Sequence, residues 1–559
     1  MLLSLLALAL FPQSQHVRPP VRVDVANSGS AERVASDIED RLAVVTWVDD
    51  SLGGEHVWCS ASTDGGQSFG AAVPVDADPS GADKGLLGSS IRVAGGSAYA
   101  CWMDGRNGNA DLYFSFSRDR GVSWSAPLRL DDGHGGGFAR VELFRLVVDA
   151  PSQLVAVLMR VSAPGIGSEV RLVRSTDAGL SFGPSTLFRL GSNVGRVDLD
   201  FDAGRLHAVW QDDKAAPGFL EPRYQRSDDL GLTWLPTAAR LAPGLMTDPS
   251  DLRVLADGPR VAVVWQEISA LCSAALNLSK DGGDTWLPYP RRVAGSISPA
   301  CMPQNPRPFF TPNELVVAWA DDRLVGGLRT PWLAWTSDDG ATWTERQLFN
   351  TPGSELRIRG DSDRGTFAVL WNGGTQIYAS VSRAAHPEPQ PVFVVHAGGH
   401  MGHVGMARDG AYDDLFSAWL ERTGGGDDHV WAAGFRAANL VPAGLFQAGQ
   451  SFHFEASNFP HDEHGWRFQV AVALAPGATP LPFGDGRLLG LASDRLFLAT
   501  AGDPLLRGLL LPDGSGTTPS LIFPASVPPG TALRLAAVSF APGPVAFGAI
   551  TDVRTVFVN

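Results

Sequence analysis

Several residue types are scarce in this chain, and each shortage narrows what the protein can be. Only four Cys occur among 559 residues, and no Cys/His cluster has the spacing of zinc ligands, so the sequence predicts no metal site. Lys is nearly absent, with three Lys beside 41 Arg. The net charge is −15, which argues against a nucleic-acid backbone as a partner. The Gly-rich run 133–137 opens no predicted helix, so no phosphate loop is expected, and no other pattern indicates a nucleotide, haem or flavin cofactor.

Long apolar runs are scarce too. The run 1–11 is too short to span a bilayer, and no later run is long enough, so no transmembrane segment is expected. Because this run opens the chain, residues 1–17 are predicted to be a secretory signal peptide, although no Lys or Arg precedes the run. A buried strand is the alternative. The sequence therefore predicts a secreted or cell-surface protein, and we expect it to be a monomer.

Turn signals are abundant instead, with 63 Gly and 40 Pro. The pattern Ser/Thr-x-Asp-x-Gly-x-Ser/Thr-aromatic occurs six times, and its copies start at residues 62, 117, 175, 227, 279 and 336. A period near fifty residues is typical of stacked supersecondary units. We expect the Asp to accept backbone N–H groups two residues on, the Gly to supply a positive φ, and the aromatic residue to begin the next strand by packing into the core.

At these six copies the chain, over roughly residues 20–438, resembles the Asp-box (bacterial neuraminidase repeat) β-propellers, a superfamily that includes the sialidases. That resemblance implies a structural turn between the third and fourth strands of a blade, on the face away from an active site. It therefore predicts a scaffold and leaves the chemistry open.

A second repeat gives the number of units. An alternating apolar strand, usually ending in Trp-x-Asp or Trp-x-Glu, precedes each turn motif, and two more copies follow the last motif. Eight such half-buried strands predict eight blades, with six or seven as the alternatives. Residues 20–26 resemble a fourth strand that the last repeat lacks, so we expect them to close the ring and remove two open edges. The fold class is thus all-β, with a propeller over 20–440 and a C-terminal β-sandwich over 442–559.

The four Cys are interpreted on this scaffold. Cys272 and Cys301 lie near predicted connections between the fifth and sixth blades, which is compatible with a disulfide. Cys59 and Cys101 lie on predicted strands of adjacent blades, where the pattern fits a disulfide and two buried thiols equally well.

Arginine recurs on the predicted innermost strands. One Arg stands 10, 12 or 14 residues before the Trp (Met159 in blade three) of each of the first seven repeats: Arg33, Arg92, Arg145, Arg196, Arg253, Arg307 and Arg357. Every separation is even, so a regular ladder would place all seven on the same face of their sheets. Blade eight has Gly405 or Ala407 there instead.

Two interpretations of this ring remain open. In the structural one, each Arg pairs with the carboxylate that closes the second strand, which is Asp49, Asp104, Asp212, Glu267 or Asp321. In the functional one, surplus guanidinium groups form a socket for an anion such as a uronic acid, a sialic acid or a sulfated glycan. Arg160 and Asn372 replace the carboxylate in blades three and seven, so the least neutralised members are predicted to be Arg145, Arg160 and Arg357.

A sialidase would need more than this scaffold. The resemblance implies an Arg-Ile-Pro element, an Arg triad, an Asp acid/base and a Tyr–Glu nucleophile, yet no Arg-Ile-Pro occurs and none of the six Tyr is placed as a nucleophile. No catalytic residue is carried over. The sequence therefore predicts binding of a glycan or an extracellular protein at the Arg-lined channel face. The alternatives are a glycoside hydrolase using the acid pairs 49–50, 212–213 and 321–322, and a structural cell-surface protein.

Overall fold

Antiparallel sheets dominate the chain. In the computed structural model the described residues are 16–558, except for 18–19, 26–29, 53, 77–85, 87, 132, 192, 245–249, 268–272, 294–303, 312, 326–327, 349–354, 362–365, 374, 384–392, 398–399, 410–413, 423–426, 437–438, 445, 458, 460–464, 481–487, 512–514, 542–546 and 552–553. The predicted leader 1–17 lies almost wholly outside them.

Within the described part of residues 16–436 the strands form eight antiparallel sheets, each a meander of neighbouring strands. The strands are β1 (His16–Val17) and β2 (Val21–Arg22); in sheet 1, β3 (Glu32–Glu39), β4 (Leu42–Asp49), β5 (His56–Ser62) and β6 (Val73–Pro74); in sheet 2, β7 (Gly88–Ala94), β8 (Ser97–Asp104), β9 (Asp111–Ser117) and β10 (Leu128–Arg129); in sheet 3, β11 (Arg140–Asp149), β12 (Leu154–Ala163), β13 (Gly167–Ser175) and β14 (Thr186–Gly191); in sheet 4, β15 (Val194–Asp202), β16 (Arg205–Asp212), β17 (Glu221–Ser227) and β18 (Ala239–Arg240).

The second half of this region continues the same meander. Its strands are, in sheet 5, β19 (Ser250–Asp257), β20 (Arg260–Glu267), β21 (Ser273–Ser279) and β22 (Arg291–Val293); in sheet 6, β23 (Gln304–Phe310), β24 (Leu315–Val325), β25 (Leu328–Thr336) and β26 (Thr344–Gln347); in sheet 7, β27 (Glu355–Asp361), β28 (Thr366–Asn372), β29 (Gln376–Arg383) and β30 (Phe393–Ala397); in sheet 8, β31 (His400–Asp409), β32 (Asp414–Arg422) and β33 (Asp428–Arg436).

The first strands of successive sheets contact one another around a central channel. Each of β3, β7, β11, β15, β19, β23, β27 and β31 contacts the next, and β31 returns to β3. The N-terminal strands β1 and β2 both pair with β33, with Val21 opposite Ala432 and Arg22 opposite Trp431. Meandering sheets with their first strands at the centre are the arrangement of a β-propeller.

The second strand of each sheet forms the core between sheets. All eight residues of β4 and of β8 are buried, and Trp47, Trp102 and Trp319 are among the largest fully buried side chains. The prediction of half-buried strands is therefore wrong here. Neighbouring sheets cover both faces of such a strand, so its polar-looking positions are buried together with its apolar ones.

The six turn motifs share one hydrogen-bond pattern. In the first, the Ser62 hydroxyl donates to Asp64 Oδ1 (2.6 Å), and the Ser68 N–H donates to the same oxygen (3.0 Å). The Asp thus accepts an N–H four residues on, where two residues had been predicted. In the second turn, hydrogen bonds from Ser123 lower the pKa of Asp119 to about 2.

Each turn also contacts the preceding sheet. The motif glycine adopts a left-handed φ in all six turns, as predicted, and the residue before it does so too. A Cβ on Gly66 would lie 2.7 Å from the Phe416 ring of sheet 8, and one on Gly179 would lie 2.7 Å from the Phe114 ring of sheet 2. Glycine is required at these positions by its φ and by the close approach of a neighbouring side chain.

Residues 439–558 form further sheets. One contains β34 (Asn439–Gly444), β35 (Ser451–Ser457), β40 (Gly516–Thr517) and β41 (Leu521–Ile522); the second contains β36 (Arg467–Ala473), β39 (Arg507–Leu509), β42 (Ala532–Phe540), β43 (Phe547–Ile550) and β44 (Arg554–Phe557); a small hairpin pairs β37 (Pro476–Pro480) with β38 (Leu488–Leu491). Phe452 and Phe454 of the first sheet share an apolar core with Phe468 and Leu535 of the second. Helix α1 (Arg495–Thr500) and a 3-10 turn (Pro504–Leu506) lie beside β36.

Two cysteines are resolved by the structure as free thiols. Cys59 and Cys101 are both buried, and burial raises the pKa of each thiol. Of the two interpretations for this pair, buried thiols are confirmed. Cys272 and Cys301 lie outside the described residues.

Candidate functional site

The seven inner-strand arginines do not all occupy one position. Four of them lie directly opposite the residue that precedes the Trp, or Met159, of the second strand: Arg145, Arg253, Arg307 and Arg357. Arg92 lies two residues farther along its strand, opposite Tyr99. At the shared position, sheet 1 has Ala35, opposite Thr46, and sheet 4 has Asp198, opposite Val209.

β-Bulges explain the difference. The ladder shifts between Glu32 and Ala35, and again between Val194 and Val197, so Arg33 and Arg196 both fall inside bulges. A bulge inserts one residue and reverses the faces that follow, which an even separation in sequence cannot reveal. The prediction of a seven-member ring is therefore wrong for Arg33 and Arg196.

The predicted pairing of these arginines with second-strand carboxylates is also wrong. The indole Nε1–H of Trp47 donates to Asp49 Oδ2 (2.9 Å), and that of Trp319 donates to Asp321 Oδ2 (2.8 Å). Trp210 bonds Asp212 in the same way (2.8 Å). Residues two apart on a strand share a face, so Trp meets Asp. The Arg shares a face with the residue before the Trp, which points the opposite way.

A central cavity gathers four of the arginines. Its volume is about 430 Å³, and its charged lining comes from six sheets: Arg92, Arg145, Arg253, Arg307, Asp37, Asp198, Asp200 and Asp257. Leu199 and Phe309 add apolar surface. Arg253 is the fourth residue of the eight-residue strand β19, so the cluster lies part of the way along the inner strands.

Arg145 is neutralised by the next sheet. Its Nη1–H donates to the carbonyl oxygen of Phe144 (2.9 Å), and its Nε–H donates to Asp198 Oδ1 (2.7 Å). The other oxygen of Asp198 accepts the N–H of Val254 (3.0 Å), so one carboxylate joins sheets 3, 4 and 5. The partner lies 53 residues away, and the prediction that Arg145 is poorly neutralised is wrong.

Arg160 has a carboxylate partner too. Its Nη2 forms an ion pair with Glu142, and its Nη1–H donates to the carbonyl oxygen of Gly195 (3.3 Å). Arg196 is exposed, and Arg33 lies 3.7 Å from the exposed Glu32. None of these three lines the central cavity.

Arg253 is oriented like Arg145 but has a different neighbour. Its Nη1–H donates to the carbonyl oxygen of Leu252 (2.7 Å), whereas its buried Nε has no hydrogen-bond partner among the described residues. The residue at the shared position of the following sheet is Arg307, not an acid. Burial, together with the positive charge of Arg145, lowers the pKa of Arg253 to about 10.

Acidic side chains on the inner strands join adjacent sheets. Asp198, Asp200 and Asp202 of β15 accept the N–H groups of Val254, Ala256 and Gly258 at 3.0, 2.7 and 2.7 Å. In sheet 1, Asp37 accepts the N–H of Val93 in sheet 2 (2.9 Å). The N–H groups of Val93, Val254 and Ala256 belong to inner edge strands, which have no ladder partner of their own on that side, and Gly258 directly follows β19. Sequence reasoning missed this role, although the alternating acids 198, 200 and 202 were a visible signal.

Asp200 differs electrostatically from Asp198. Its carboxylate accepts the N–H of Ala256, whereas Asp198 contacts a guanidinium in addition to a backbone N–H. Burial raises the pKa of Asp200 to about 7, and the negative charge of Asp198 acts in the same direction.

Solved structures similar to this chain include two sialidases and one β-propeller domain. A mutant of NanB sialidase from Streptococcus pneumoniae is 9% identical, with 76% of this chain and 99% of that chain covered and a TM-score of 0.37. Trypanosoma rangeli sialidase in complex with sialic acid is 11% identical over 88% and 89%, with a TM-score of 0.34. The β-propeller domain of the Trilobed protease from Pyrococcus furiosus is 8% identical over 61% and 91%, with a TM-score of 0.37.

Comparisons of sequence assign the chain to no family. No protein-family profile matches the chain, and no curated protein matches it. No helix in the described part of the chain is long and apolar enough to cross a membrane. Among the same residues, no group of three or more His, Cys, Asp or Glu is arranged to hold a metal ion.

Proposed function

We propose that this protein binds an acidic glycan in the central cavity, with a carboxylate of the glycan on the Nε edge of Arg253. The observation that carries the proposal is the buried Arg253 Nε, which lacks a hydrogen-bond partner among the described residues while lining a 430 Å³ cavity. A buried guanidinium donor without an acceptor is costly, and a ligand carboxylate would satisfy it.

The Arg145–Asp198 pair supports the chemistry. Arg145 and Arg253 hold the same register position, and each donates Nη1–H to the carbonyl of the preceding residue. At Arg145 the Nε edge contacts a carboxylate, so that edge is suitably oriented for one. A ligand carboxylate beside Arg253 and Arg307 would repeat this contact two interfaces away, between sheets 5 and 6.

The size and lining of the cavity support a sugar. Ligand pockets are commonly about 300–1,000 Å³, and this one is about 430 Å³. The apolar side chains of Leu199 and Phe309 offer surface to a ring face, and the guanidinium groups of Arg92 and Arg307 offer donors to hydroxyl or acid oxygens.

Binding to an array of uronides, sialosides, sulfated glycans and neutral glycans tests the proposal. We expect retention of carboxylated glycans, and an affinity at least about tenfold lower in the Arg253→Gln variant. Arg467→Gln removes an exposed Arg from a strand outside the cavity and serves as the matched control. Retention of neutral glycans alone, or equal affinity in Arg253→Gln, contradicts the proposal, as does retention of an extracellular protein partner by a surface outside the channel.

The hydrolase alternative gains no support from the first acid of each pair predicted for it. Asp49, Asp212 and Asp321 are buried and accept indole N–H groups, so they do not present an acid–base pair at an open mouth. Release of sugar from fluorogenic uronides or sialosides, abolished in Asp212→Asn, would reinstate the alternative.

The larger organisation is part of the proposal. We propose an eight-bladed ring over residues 20–440, closed by the N-terminal strand, and a separate β-sandwich over 442–559. The cyclic contacts of β3 to β31 and the apolar core shared by the two C-terminal sheets support it. Fragment 439–559, which begins at the first residue of β34, is expected to fold when expressed alone, and failure to unfold cooperatively would contradict a separate C-terminal unit.

Secretion is proposed from the leader alone. Removal of residues 1–17 during export predicts a mature chain that begins near residue 18. Mass spectrometry of the protein from culture medium would measure this N terminus. An intact Met1 on cytoplasmic protein would contradict secretion.

A further inference from the structure

Ser36 is the polar exception at a position that the other sheets fill with apolar residues. It lies on β3 opposite Val45, which is two residues before Trp47 on β4. The same register position carries an apolar residue in each of the other seven sheets: Ile91, Leu146, Leu199, Val254, Pro308, Ile358 and Met406. Sheet 1 therefore departs from the repeat by one hydroxyl group on its inner strand.

The fold makes no use of this hydroxyl group. The Oγ of Ser36 is shielded from solvent and has no hydrogen-bond partner among the described residues, although Ser36 lines the central cavity. A buried hydroxyl group without a partner lowers stability, whereas an aliphatic side chain of similar shape does not carry this cost. Stability therefore gives no reason for Ser36, and a ligand in the cavity would supply the missing partner.

Ser36 and Arg253 lie on opposite sides of the channel. Sheets 1 and 5 are four sheets apart in either direction around the ring of first strands. Ala35 and Arg253 hold the same register position, each opposite the residue that precedes the Trp of its second strand. Ser36 is thus one residue, or about 3.3 Å, from the level of Arg253 along the channel. The cavity has a hydrogen-bonding group without a protein partner on each side.

We infer that Ser36 is a second ligand contact, which selects sugar acids that carry a hydroxyl or amide group at the end away from the carboxylate. This inference rests on the proposed function, which places the carboxylate on Arg253, and it names the second group that the ligand must present. A Ser hydroxyl both donates and accepts, so it pairs with either group. Ser36 is half-buried, and its hydroxyl turns between staggered rotamers to meet the ligand.

A ligand contact at Ser36 has two effects of opposite sign. A hydrogen bond between neutral groups contributes roughly two- to tenfold to affinity, so loss of the hydroxyl should weaken binding about fivefold. The same hydroxyl has no partner in the free protein, so its loss should make the free protein more resistant to urea. A hydroxyl that served the fold would instead lower the resistance to urea when removed.

Ser36→Val and Ser36→Thr form a matched pair, because Val and Thr have nearly the same shape and differ by a methyl in place of a hydroxyl. Val254 and Ile358 hold this register position in other sheets, so a β-branched side chain is expected to fit. Calorimetric titration of the full chain with sialyllactose and with an oligoglucuronate measures affinity. Urea unfolding without ligand measures stability. We expect Ser36→Thr to bind like the unmodified protein, and Ser36→Val to bind about fivefold more weakly and to unfold at a higher urea concentration than Ser36→Thr.

Ser60→Ala is the control for loss of a hydroxyl group from the same sheet. Ser36 and Ser60 lie on either side of Val45 in one row of the sheet. The Ser60 hydroxyl donates to the carbonyl oxygen of Gly70 (2.8 Å), and Ser60 does not line the cavity. Ser60→Ala is expected to unfold at a lower urea concentration and to keep the affinity of the unmodified protein.

The outcomes separate the inference from the proposed function. Equal affinity of Ser36→Val and Ser36→Thr, in a protein that binds either ligand, overturns the inference and leaves the proposed function standing. Unfolding of Ser36→Val at a lower urea concentration than Ser36→Thr overturns it as well, because the hydroxyl would then serve the fold. A fivefold difference with one ligand alone supports the inference and assigns the site to that sugar acid. Absence of binding by both ligands overturns the proposed function and the inference together.

Discussion

The interface between sheets 3 and 4 and the interface between sheets 5 and 6 are built on the same arginine. Arg145 and Arg253 have one register, and each folds back onto its preceding carbonyl. The following sheet supplies Asp198 in the first case and Arg307 in the second. The repeat thus fixes where a guanidinium group lies. One residue on the next sheet decides whether its Nε–H donates to a carboxylate of the protein, as in Arg145, or is left for the proposed ligand, as in Arg253.

A substitution at Asp200 separates the two acids of β15 that line the cavity, Asp198 and Asp200. The pKa of Asp200 is about 7 in the folded state, above the roughly 3.9 of an unfolded Asp, so its contribution to stability is fully present below about pH 4 and is lost as pH rises through 7. Asp200→Asn should therefore be more stable than the unmodified protein at pH 8, by on the order of 3 kcal/mol, and the gain should vanish near pH 4. Urea unfolding across pH 4–8 measures this, and a variant that is less stable at pH 8 would refute it.

Removing the partner at the first interface should make it resemble the second. Asp198→Ala leaves Arg145 without its carboxylate and the Val254 N–H without its acceptor. Because Arg145 is about a quarter exposed, we expect a loss near the lower end for a broken buried pair, about 3 kcal/mol in the free energy of unfolding. Added formate should restore part of it. A loss below about 0.5 kcal/mol would mean that the pair is no more than a surface contact.

Adding an acid at the second interface should make it resemble the first. Arg307→Asp puts a carboxylate at the register position that Asp198 occupies in sheet 4. We expect it to pair with Arg253, to raise the free energy of unfolding by about 1 kcal/mol and to abolish binding of acidic glycans. Denaturation and glycan titration on one preparation measure both effects. Retained binding would place the ligand elsewhere.

The smallest expected change in glycan affinity is that of a substitution at Arg92. It lines the same cavity and makes the same contact with its preceding carbonyl, but it lies two residues out of register. Arg92→Gln should weaken binding about threefold, because Arg92 does not contact the proposed ligand carboxylate and attracts it only by a long-range Coulomb interaction. Glycan titration beside Arg253→Gln checks this ranking. An effect of Arg92→Gln larger than that of Arg253→Gln would reverse it.

The sequence predicted the scaffold better than the site. The six turn motifs and the Trp strands depend on local geometry, which a repeated pattern in the sequence can indicate. Examples are the positive φ of Gly66 and the burial of Trp47. The partner of Arg145 could not be found by counting within one repeat, because Asp198 belongs to the next sheet and lies beyond a bulge at Val194–Val197. A bulge changes parity without any residue type that marks it. Long-range pairing between inner strands therefore had to be observed.

A crystal structure of the protein soaked with sialyllactose or with an oligoglucuronate tests the central claim most directly. We expect a ligand carboxylate within about 3.2 Å of Arg253 Nε, as Asp198 Oδ1 lies 2.7 Å from Arg145 Nε. A ligand bound outside the channel, with Arg253 unchanged, would contradict it.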